Sequence, residues 1–423
     1  MESMSLKSSE GQPRGLQAAS GSMRPWRIAL AGMAALAIAM GIGRFAFTPL
    51  LPMMLHDGVI TLAQGSWLAT ANYLGYLAGA LLGMALPWLA PRAYEVLHPA
   101  VLVKLGIAIT AVFTAAMALP FSQFWTVLRF GAGLASAITL LGLTSWCMVR
   151  LAALGRPELA ALIYAGPGLG IALTGVLTSG MVAMHWRAAS GWLLFAVLAA
   201  LLCVPIWPVI AGRAALHPGH AKSGAQASAQ AAAPVAARVI HAVAYGLSGL
   251  GYIVTATFLP VIARGALPGH SVWADLFWPI AGVGAVVGTV ASTRARPQWD
   301  QRLVLVAAFL VQAAGVVLGL LLPDTLGFAL GSLLVGLPFT VITFFGLREA
   351  RRLWPSSADS FVALVSVLYG IGQISGPPLV NWLLQHSTQG QGFERALIFA
   401  ASALVLGAAM YAVSVLAWPR RQE

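Results

Sequence analysis

Twelve long apolar segments constrain this chain more than any other feature. A helix that rises about 1.5 Å per residue needs about 20 apolar residues to cross the hydrocarbon core of a bilayer. Segments of this length recur along the 423 residues, and they are apolar all round rather than along one stripe. The sequence therefore predicts an all-α integral membrane protein with twelve transmembrane helices. The predicted helices are Arg27–Leu55, Thr61–Leu89, Val101–Leu119, Phe124–Val149, Leu159–Val182, Trp192–Ile210, Val239–Ile262, Ala274–Ser292, Leu303–Leu322, Leu326–Leu347, Phe361–Leu384 and Ala396–Trp418.

Composition excludes several functional classes. Hydrophobic residues make up 59% of the chain and charged residues 9%, whereas soluble domains contain about one quarter charged residues. Cys147 and Cys203 lie in apolar runs without a pairing pattern, so neither a disulfide nor a zinc site is indicated. Almost all histidines lie in loops or at the ends of predicted helices, without metal-ligand spacing. We expect no metal, no cofactor, no catalytic residue and no enzymatic activity.

The distribution of basic residues predicts the orientation. If the N-terminus lies in the cytoplasm, 19 of the 24 lysine and arginine residues lie on the cytoplasmic side of the membrane. The positive-inside rule then places both termini in the cytoplasm. These basic residues give the chain its net charge of +12, and anionic lipid on the cytoplasmic side is their expected partner. No nucleic-acid partner is therefore expected.

A polar, Ala/Gly/Pro/Ser/Gln-rich stretch divides the chain into halves. This stretch, residues 213–238, has the composition of a flexible linker. It separates a six-helix half over residues 26–212 from a second over residues 239–418. Short tails, residues 1–25 and 419–423, complete the predicted organisation, the first being disordered.

Sequence on the two sides of the linker repeats. MGIGRFAFTPLLP (residues 40–52) aligns with SGLGYIVTATFLP (residues 248–260) at an offset of 208, matching both glycines and the final proline. Gly75 and Gly79 match Gly284 and Gly288 at an offset of 209. The Gly-Pro pair at 166–167 matches that at 376–377 at an offset of 210. Three ordered matches predict two pseudo-symmetric halves inserted in the same orientation.

This organisation resembles the major facilitator superfamily. The segments GIGRFAFTPLLPMM, ANYLGYLAGALLG and GLGYIVTATFLP are similar to signatures of its bacterial YbfB/YjiJ family. The resemblance covers residues 26–418 and implies a multi-pass protein of the bacterial inner membrane that carries a small-molecule substrate between its halves. The resemblance does not identify the substrate. We expect a monomer surrounded by membrane lipid.

Two superfamily motifs are similar to stretches of the first half. LRFGAGLASA resembles a fourth-helix motif whose arginine, here Arg129, takes part in proton transfer or its electrostatic control in proton-linked exporters. AGPGLGIALTG resembles the antiporter motif through Gly166, Pro167 and Gly170, although Ile171 replaces its second glycine. Gly-Pro pairs permit close helix contact and a bend, so these residues and Gly376–Pro377 are predicted hinge or gating positions. Close packing without a gating role is the alternative.

Arg44 is an arginine deep inside the first predicted helix. Such a residue costs about 2.5–3.5 kcal/mol on insertion scales and normally faces a wet cavity or a partner. We predict that Arg44 faces the central cavity; pairing with helix-end carbonyls is the alternative. Arg129 lies nearer a helix end, where snorkelling to the interface is also open.

Acidic residues offer little to pair with these arginines. Only Asp275 approaches the membrane interior, which makes it the candidate for proton coupling. A guanidinium without a carboxylate partner fits an anionic ligand. Proton exchange, anion exchange and co-transport all remain open. Further candidates for contact with substrate or coupling ion are Asn72, Tyr73, Tyr252, Trp278 and Gln373.

The sequence therefore predicts a secondary transporter that works by alternating access. Proton-coupled efflux of a small, anionic solute is preferred because of the two motifs. Uptake or anion exchange of an organic acid, and export of a neutral amphipathic compound, are the alternatives. A non-transporting membrane sensor is the alternative of a different class.

Overall fold

The computed structural model describes residues 24–89, 92, 98–210, 232–268, 271, 273–295 and 298–419. Within these ranges there is no strand, and twelve helices are long and apolar enough to cross a membrane. They are α1 Pro25–His56, α2 Leu62–Ala85, α3 Pro99–Ala116, α4 Ser122–Ala153, α5 Pro157–Ala183, α6 Ala188–Ile206, α7 Val235–Ala266, α8 Trp273–Ser292, α9 Gln301–Leu321, α10 Thr325–Leu353, α11 Ser360–Gln385 and α12 Gln389–Ala417.

Each helix coincides with a predicted one, which confirms the fold class. The largest differences are at ends: α12 begins seven residues earlier than predicted, and α10 continues six residues further. The predicted tail over residues 1–25 lies outside the described residues up to residue 23, as do 211–231 of the linker region and 420–423 of the second tail.

The two halves are related as the repeat predicts. A Cβ at Gly75 of α2 would lie 1.9 Å from the carbonyl oxygen of Phe130 on α4. The matching Gly284 of α8 would place a Cβ 2.7 Å from the carbonyl oxygen of Leu333 on α10. Both glycines therefore permit the same close helix crossing, six helices apart.

The first helix of each half forms the centre of the bundle. Residues 35–54 of α1 and 251–261 of α7 are buried without interruption, although surface helices of a bundle bury only one stripe. The Thr48 hydroxyl of α1 donates to the carbonyl oxygen of Ala256 on α7 over 2.6 Å. These two residues are 208 positions apart, so the repeat brings its own equivalent positions into contact.

The middle of α1 departs from α-helical geometry. Residues Ala37–Phe45 form a π-helix between α-helical turns over Pro25–Leu36 and Phe47–His56. Pro49 and Pro52 have no backbone N–H, so carbonyl groups one turn earlier lack their helical donor. Arg44 lies in this irregular segment. Its neighbouring carbonyls need donors from elsewhere in the protein.

Arg302 links two helices at the end of the bundle where α1 begins and α12 ends, which we call the terminal face. Asp300 accepts from the backbone N–H of Arg302 and pairs with its guanidinium over 2.7 Å. Arg302 also donates to the carbonyl oxygens of Ser414 and Trp418, each over 2.8 Å. The start of α9 is thereby fixed to the end of α12. The opposite end of the bundle is called the far face.

Candidate functional site

Arg44 occupies the interface between the two halves. It is 3% exposed, and one of its terminal nitrogens donates to Gln373 Oε1 of α11 over 2.8 Å. Gln373 Nε2 in turn donates to the hydroxyl of Tyr252 on α7 over 2.6 Å. The structure thus joins three predicted site residues into one chain of hydrogen bonds. Gln373 lies between Arg44 and Tyr252, its equivalent in the second half.

Aromatic rings enclose the Arg44 guanidinium. Its central carbon lies 4.0 Å from the ring centroid of Tyr76, 5.2 Å from that of Tyr73 and 5.3 Å from that of Phe45. Ring faces attract a cation, most strongly where water is excluded. The rings therefore offset part of the cost of burying this charge.

Contacts between the halves close the site toward the far face. The Tyr73 hydroxyl on α2 is 2.8 Å from Thr257 Oγ1 on α7, and Thr48 bonds Ala256. Thr48 and Thr257 follow Arg44 and Tyr252 along helices that run from the terminal face. A solute in this site would therefore meet a closed path on the far-face side.

Arg129 binds backbone rather than solvent. It is 2% exposed, and it donates to the carbonyl oxygens of Gly43 over 3.1 Å and of Arg44 over 3.2 Å. Its guanidinium carbon lies 4.7 Å from the ring centroid of Phe47. The side chain does not snorkel to the interface. It supplies donors to carbonyls in the irregular segment of α1.

Asn72 ties the same segment to α4. Its amide donates to the carbonyl oxygen of Arg129 over 2.8 Å and to that of Gly43 over 3.4 Å. Asn72 is fully buried, and its Oδ1 has no hydrogen-bond partner. Asn72 and Arg129 therefore hold the backbone that carries Arg44.

No carboxylate in the described part of the chain pairs with either arginine. Three of the acids pair with arginines near helix ends instead: Asp275 with Arg264, Asp300 with Arg302 and Glu349 with Arg352. Asp275 begins α8, is 9% exposed and lies at the far face. The proton-coupling candidate is thus brought to Arg264 and not to Arg44.

Trp278 and the hinge candidates pack around the first helix of each half. The Trp278 ring of α8 lies 6.1 Å from that of Phe45, and its Nε1 has no hydrogen-bond partner. A Cβ at Gly170 would lie 2.6 Å from the Cα of Gly41. Gly376 is similarly close to Ile253, with 2.3 Å to Cγ2.

The hinge candidates Gly166 and Pro167 lie at the start of a regular helical segment. α5 opens with a 3₁₀ stretch over Pro157–Ala165 and becomes α-helical at Gly166, where Pro167 occupies the first turn. A Cβ at Gly166 would lie 2.3 Å from the carbonyl oxygen of Met33. Pro377 instead lies inside α11, beside Pro378. The structure shows that these residues pack closely. Their gating role stays a prediction.

Sequence reasoning missed most of the aromatic residues in the interface. Tyr76, Tyr245, Phe339 and Tyr369 continue the cluster: the Tyr252 ring lies 5.2 Å from Phe339 and 6.0 Å from Tyr369. For Tyr76 and Tyr369, helical spacing relative to predicted site residues could have indicated their place in the interface. Tyr76 follows Tyr73 by three residues and Tyr369 precedes Gln373 by four, so each pair shares a helix face.

The fold is shared with solved transporter structures. A mutant of the nucleoside transporter NupG matches with a TM-score of 0.68 at 14% identity, covering 92% of this chain and 99% of that chain. A D-xylose-proton symporter matches with a TM-score of 0.69 at 12% identity, covering 91% and 97%. A bacterial homolog of the human lysosomal transporter Spinster, inward-facing and unoccupied, matches with a TM-score of 0.64 at 14% identity, covering 93% and 98%.

Family comparison agrees with the fold. No curated protein sequence matches the chain significantly. The family model described as uncharacterised MFS-type transporter YbfB matches residues 36–412, which confirms the resemblance seen in the sequence. Membership of a transporter family also bears out the expectation that the protein is not an enzyme. The chain is a secondary transporter of the major facilitator superfamily and belongs to the YbfB family within it.

Proposed function

We propose that this transporter carries a small organic anion, that Arg44 binds the negative group, and that the anion leaves the cell in exchange for protons. The supporting observation is the pair of buried guanidinium groups, Arg44 and Arg129, with no carboxylate partner among the described residues. Two buried cations without a counter-anion are costly in an apolar protein interior, even where rings and carbonyl groups offset part of the cost. A bound anion would offset that cost.

Arg44 retains donor capacity for such a ligand. Its Nε has no hydrogen-bond partner, and a terminal nitrogen donates to a neutral amide, Gln373. Carboxylate or sulfonate oxygens accept more strongly from a guanidinium than an amide oxygen does. An entering anion would therefore displace Gln373, which stays bonded to Tyr252.

Arg129 would act through position and charge. Its hydrogen bonds to the carbonyls of Gly43 and Arg44 fix the backbone under the binding residue. Its charge adds to the positive potential at the site. The ring faces of Tyr73, Tyr76 and Tyr252 would then pack against the body of the solute, so the proposal favours an anion with an apolar or aromatic body.

Exchange for protons is supported by the fourth- and fifth-helix motifs around Arg129 and Gly166–Pro167. Uptake of an organic acid with protons and exchange of two anions are the other candidates. In this proposal the protein is a monomer in the bacterial inner membrane. Lipid surrounds it, and both termini are cytoplasmic.

The Arg44→Gln variant is expected to lose stabilisation by an acid. Purified protein is melted with organic acids, amino acids, sugars and amphipathic drugs. A ligand present at 100 times its Kd contributes about 2.7 kcal/mol to stability and raises the melting temperature. At least one acid should raise it for the wild type, and the rise should disappear in the variant because the guanidinium that pairs with the anion is gone.

Arg187→Gln provides the matched control, since Arg187 is an exposed arginine before α6. This variant should respond to the acid as the wild type does. Stabilisation of both Arg44 forms by a neutral drug, with no response to any acid, would contradict the anion proposal. It would instead support export of a neutral amphipathic compound.

A further inference from the structure

His241 is a buried titratable side chain that the proposed site does not use. It lies on α7 and is 2% exposed, while the other histidines that the structure describes are exposed or half-buried near helix ends. Its Nδ1 is 3.0 Å from the hydroxyl of Tyr411 on α12. Its Nε2 makes no hydrogen bond of regular geometry, and the backbone of Gly346 on α10 also acts on the imidazole.

Among the described residues, the charged groups that act on His241 lie on one helix, α10. Glu349 and Arg352 of α10 are the ionised residues that act on it, and they pair with each other over 2.8 Å. From the other helices, Tyr411 of α12 and Phe361 of α11 face the imidazole, with ring centroids at 5.7 and 5.9 Å. A proton on His241 would thus add a charge beside a buried ion pair.

A continuous row of rings connects His241 to the centre of the protein. The imidazole stacks on Tyr245, with centroids 6.1 Å apart, and Tyr245 stacks on Tyr369 at 5.1 Å. Tyr369 stacks on Tyr252 at 6.0 Å, and Tyr252 bonds Gln373, the partner of Arg44. We call Tyr245, Tyr369 and Tyr252 the tyrosine ladder. Packed side chains of this kind carry coupling between sites when the element has two arrangements.

The position of His241 also suits proton exchange with one side of the membrane. It follows the start of α7 at Val235 by six residues, which places it about 9 Å from the terminal face along the helix axis. The site around Arg44 is closed on the opposite side by the bonds of Thr48 and Thr257. Opening of the terminal face would expose His241 and the substrate site in the same state.

We propose that His241 is the proton-binding site of this transporter and that the tyrosine ladder couples its protonation to the binding of an anion at Arg44. The inference rests on the proposed function for its second part. When Nδ1 donates to Tyr411, the lone pair of Nε2 takes the proton directly. In the other tautomer Nδ1 takes it, and the Tyr411 hydroxyl turns from donor to acceptor. No other bond forms or breaks.

The proton site is tested without any substrate. Full-length protein labelled with ¹⁵N-histidine is reconstituted in liposomes, and solid-state NMR spectra are recorded between pH 8 and pH 5. The signals missing from His241→Gln identify the residue. We expect them to move from neutral imidazole to imidazolium within this range, because opening of the terminal face admits water to an imidazole that burial otherwise holds neutral. An imidazole that stays neutral at pH 5 would overturn the proposal.

A second variant protects this test against misfolding of His241→Gln. Tyr411→Phe keeps the imidazole and removes its hydrogen-bond partner. We expect the wild-type signals of His241 to shift in this variant and to titrate at a different pH. Signals that neither shift nor change their midpoint would show that the identified residue is not the one beside Tyr411.

Coupling is tested with p-toluenesulfonate, an aromatic anion that stays ionised throughout the range. Its effect on the melting temperature is compared at pH 5 and pH 8. Binding should depend on pH in the wild type and lose that dependence in His241→Gln, because linkage between two sites is reciprocal. Weaker binding at pH 5 supports exchange, and stronger binding supports co-transport. Equal pH dependence in both proteins would refute coupling through His241.

The two proposals fail in different ways. If no acid or sulfonate binds at any pH while the signals of His241 titrate, the anion proposal fails and the proton site stands. If an acid binds through Arg44 and the signals of His241 do not titrate, the proton site fails and the anion proposal stands.

Discussion

Replacing Arg129 by methionine is expected to destabilise the protein by about 2–5 kcal/mol. The substitution keeps a long side chain that fills the space and removes the donors to the carbonyl oxygens of Gly43 and Arg44. A buried carbonyl left without a donor costs about 1–3 kcal/mol, and a lost hydrogen bond to a charged group costs about 1.5–3 kcal/mol. The carbonyl oxygen of Arg44 loses its bond from Arg129, and that of Gly43 keeps only the 3.4 Å bond from Asn72. Methionine cannot replace those bonds, so the irregular segment of α1 should loosen. The free energy of unfolding in mixed micelles measures this loss.

Arg395→Met is the matched control, because Arg395 is exposed on α12. It should leave the unfolding free energy within about 0.5 kcal/mol of the wild type. Arg129→Lys tests geometry, since a lysine offers no planar fork and should recover only part of the loss. Equal stability of the Arg129→Met variant and the wild type would show that water, rather than Arg129, satisfies these carbonyls.

The behaviour of Arg129 shows where the sequence stops being sufficient. Its burial followed from its place inside an apolar segment. Its partners did not, because they are backbone carbonyls of another helix. A π-helical bond to the carbonyl oxygen of Arg44 would come from residue 49, which is a proline without an N–H. No pattern of side chains along α4 carries that information.

Arg44 was predictable to a greater extent. The cost of a charge in an apolar segment predicted that it faces a central cavity, and the offset of 208 indicated Tyr252 as its equivalent. In the structure Arg44 is buried between the halves. The structure brings both together through Gln373, which was also a candidate. The enclosure by Tyr76 needed the fold, because it depends on how α2 crosses α1. Asp275 was selected only as the acid closest to the membrane interior, and its partner, Arg264, lies on the preceding helix.

In our proposals, the anion-binding arginines and the proton-binding histidine lie in different halves of the protein. Arg44 and Arg129 belong to the first half, whereas His241, Gln373 and the tyrosine ladder belong to the second. Any movement between the halves must therefore alter the bond from Arg44 to Gln373. Movement of the halves would then occur together with a change in the partners of the Arg44 charge. Exchange of an anion for a proton requires these two changes to be coupled.

Replacing Gly288 by alanine is expected to destabilise the second half by at least about 1–3 kcal/mol. The added Cβ would lie 1.8 Å from the carbonyl oxygen of Leu337, so α8 and α10 must separate. Overpacking of a close contact costs this much when the backbone has to move. The thermal unfolding midpoint of the purified protein should fall, and so should the yield of folded protein.

The repeat makes this prediction sharper than a single substitution does. Gly75→Ala, in the glycine pair of the first half that matches Gly284 and Gly288, should cause a similar fall, because its Cβ would lie 1.9 Å from the carbonyl oxygen of Phe130. Gly180→Ala on α5 is the control: no atom lies within 4 Å of its Cβ position, and alanine is favoured over glycine in a helix by about 1 kcal/mol. Its midpoint should stay equal or rise. If Gly75→Ala and Gly288→Ala instead behave like Gly180→Ala, the helices cross further apart in the protein, and the shared glycines do not set the packing of the two halves.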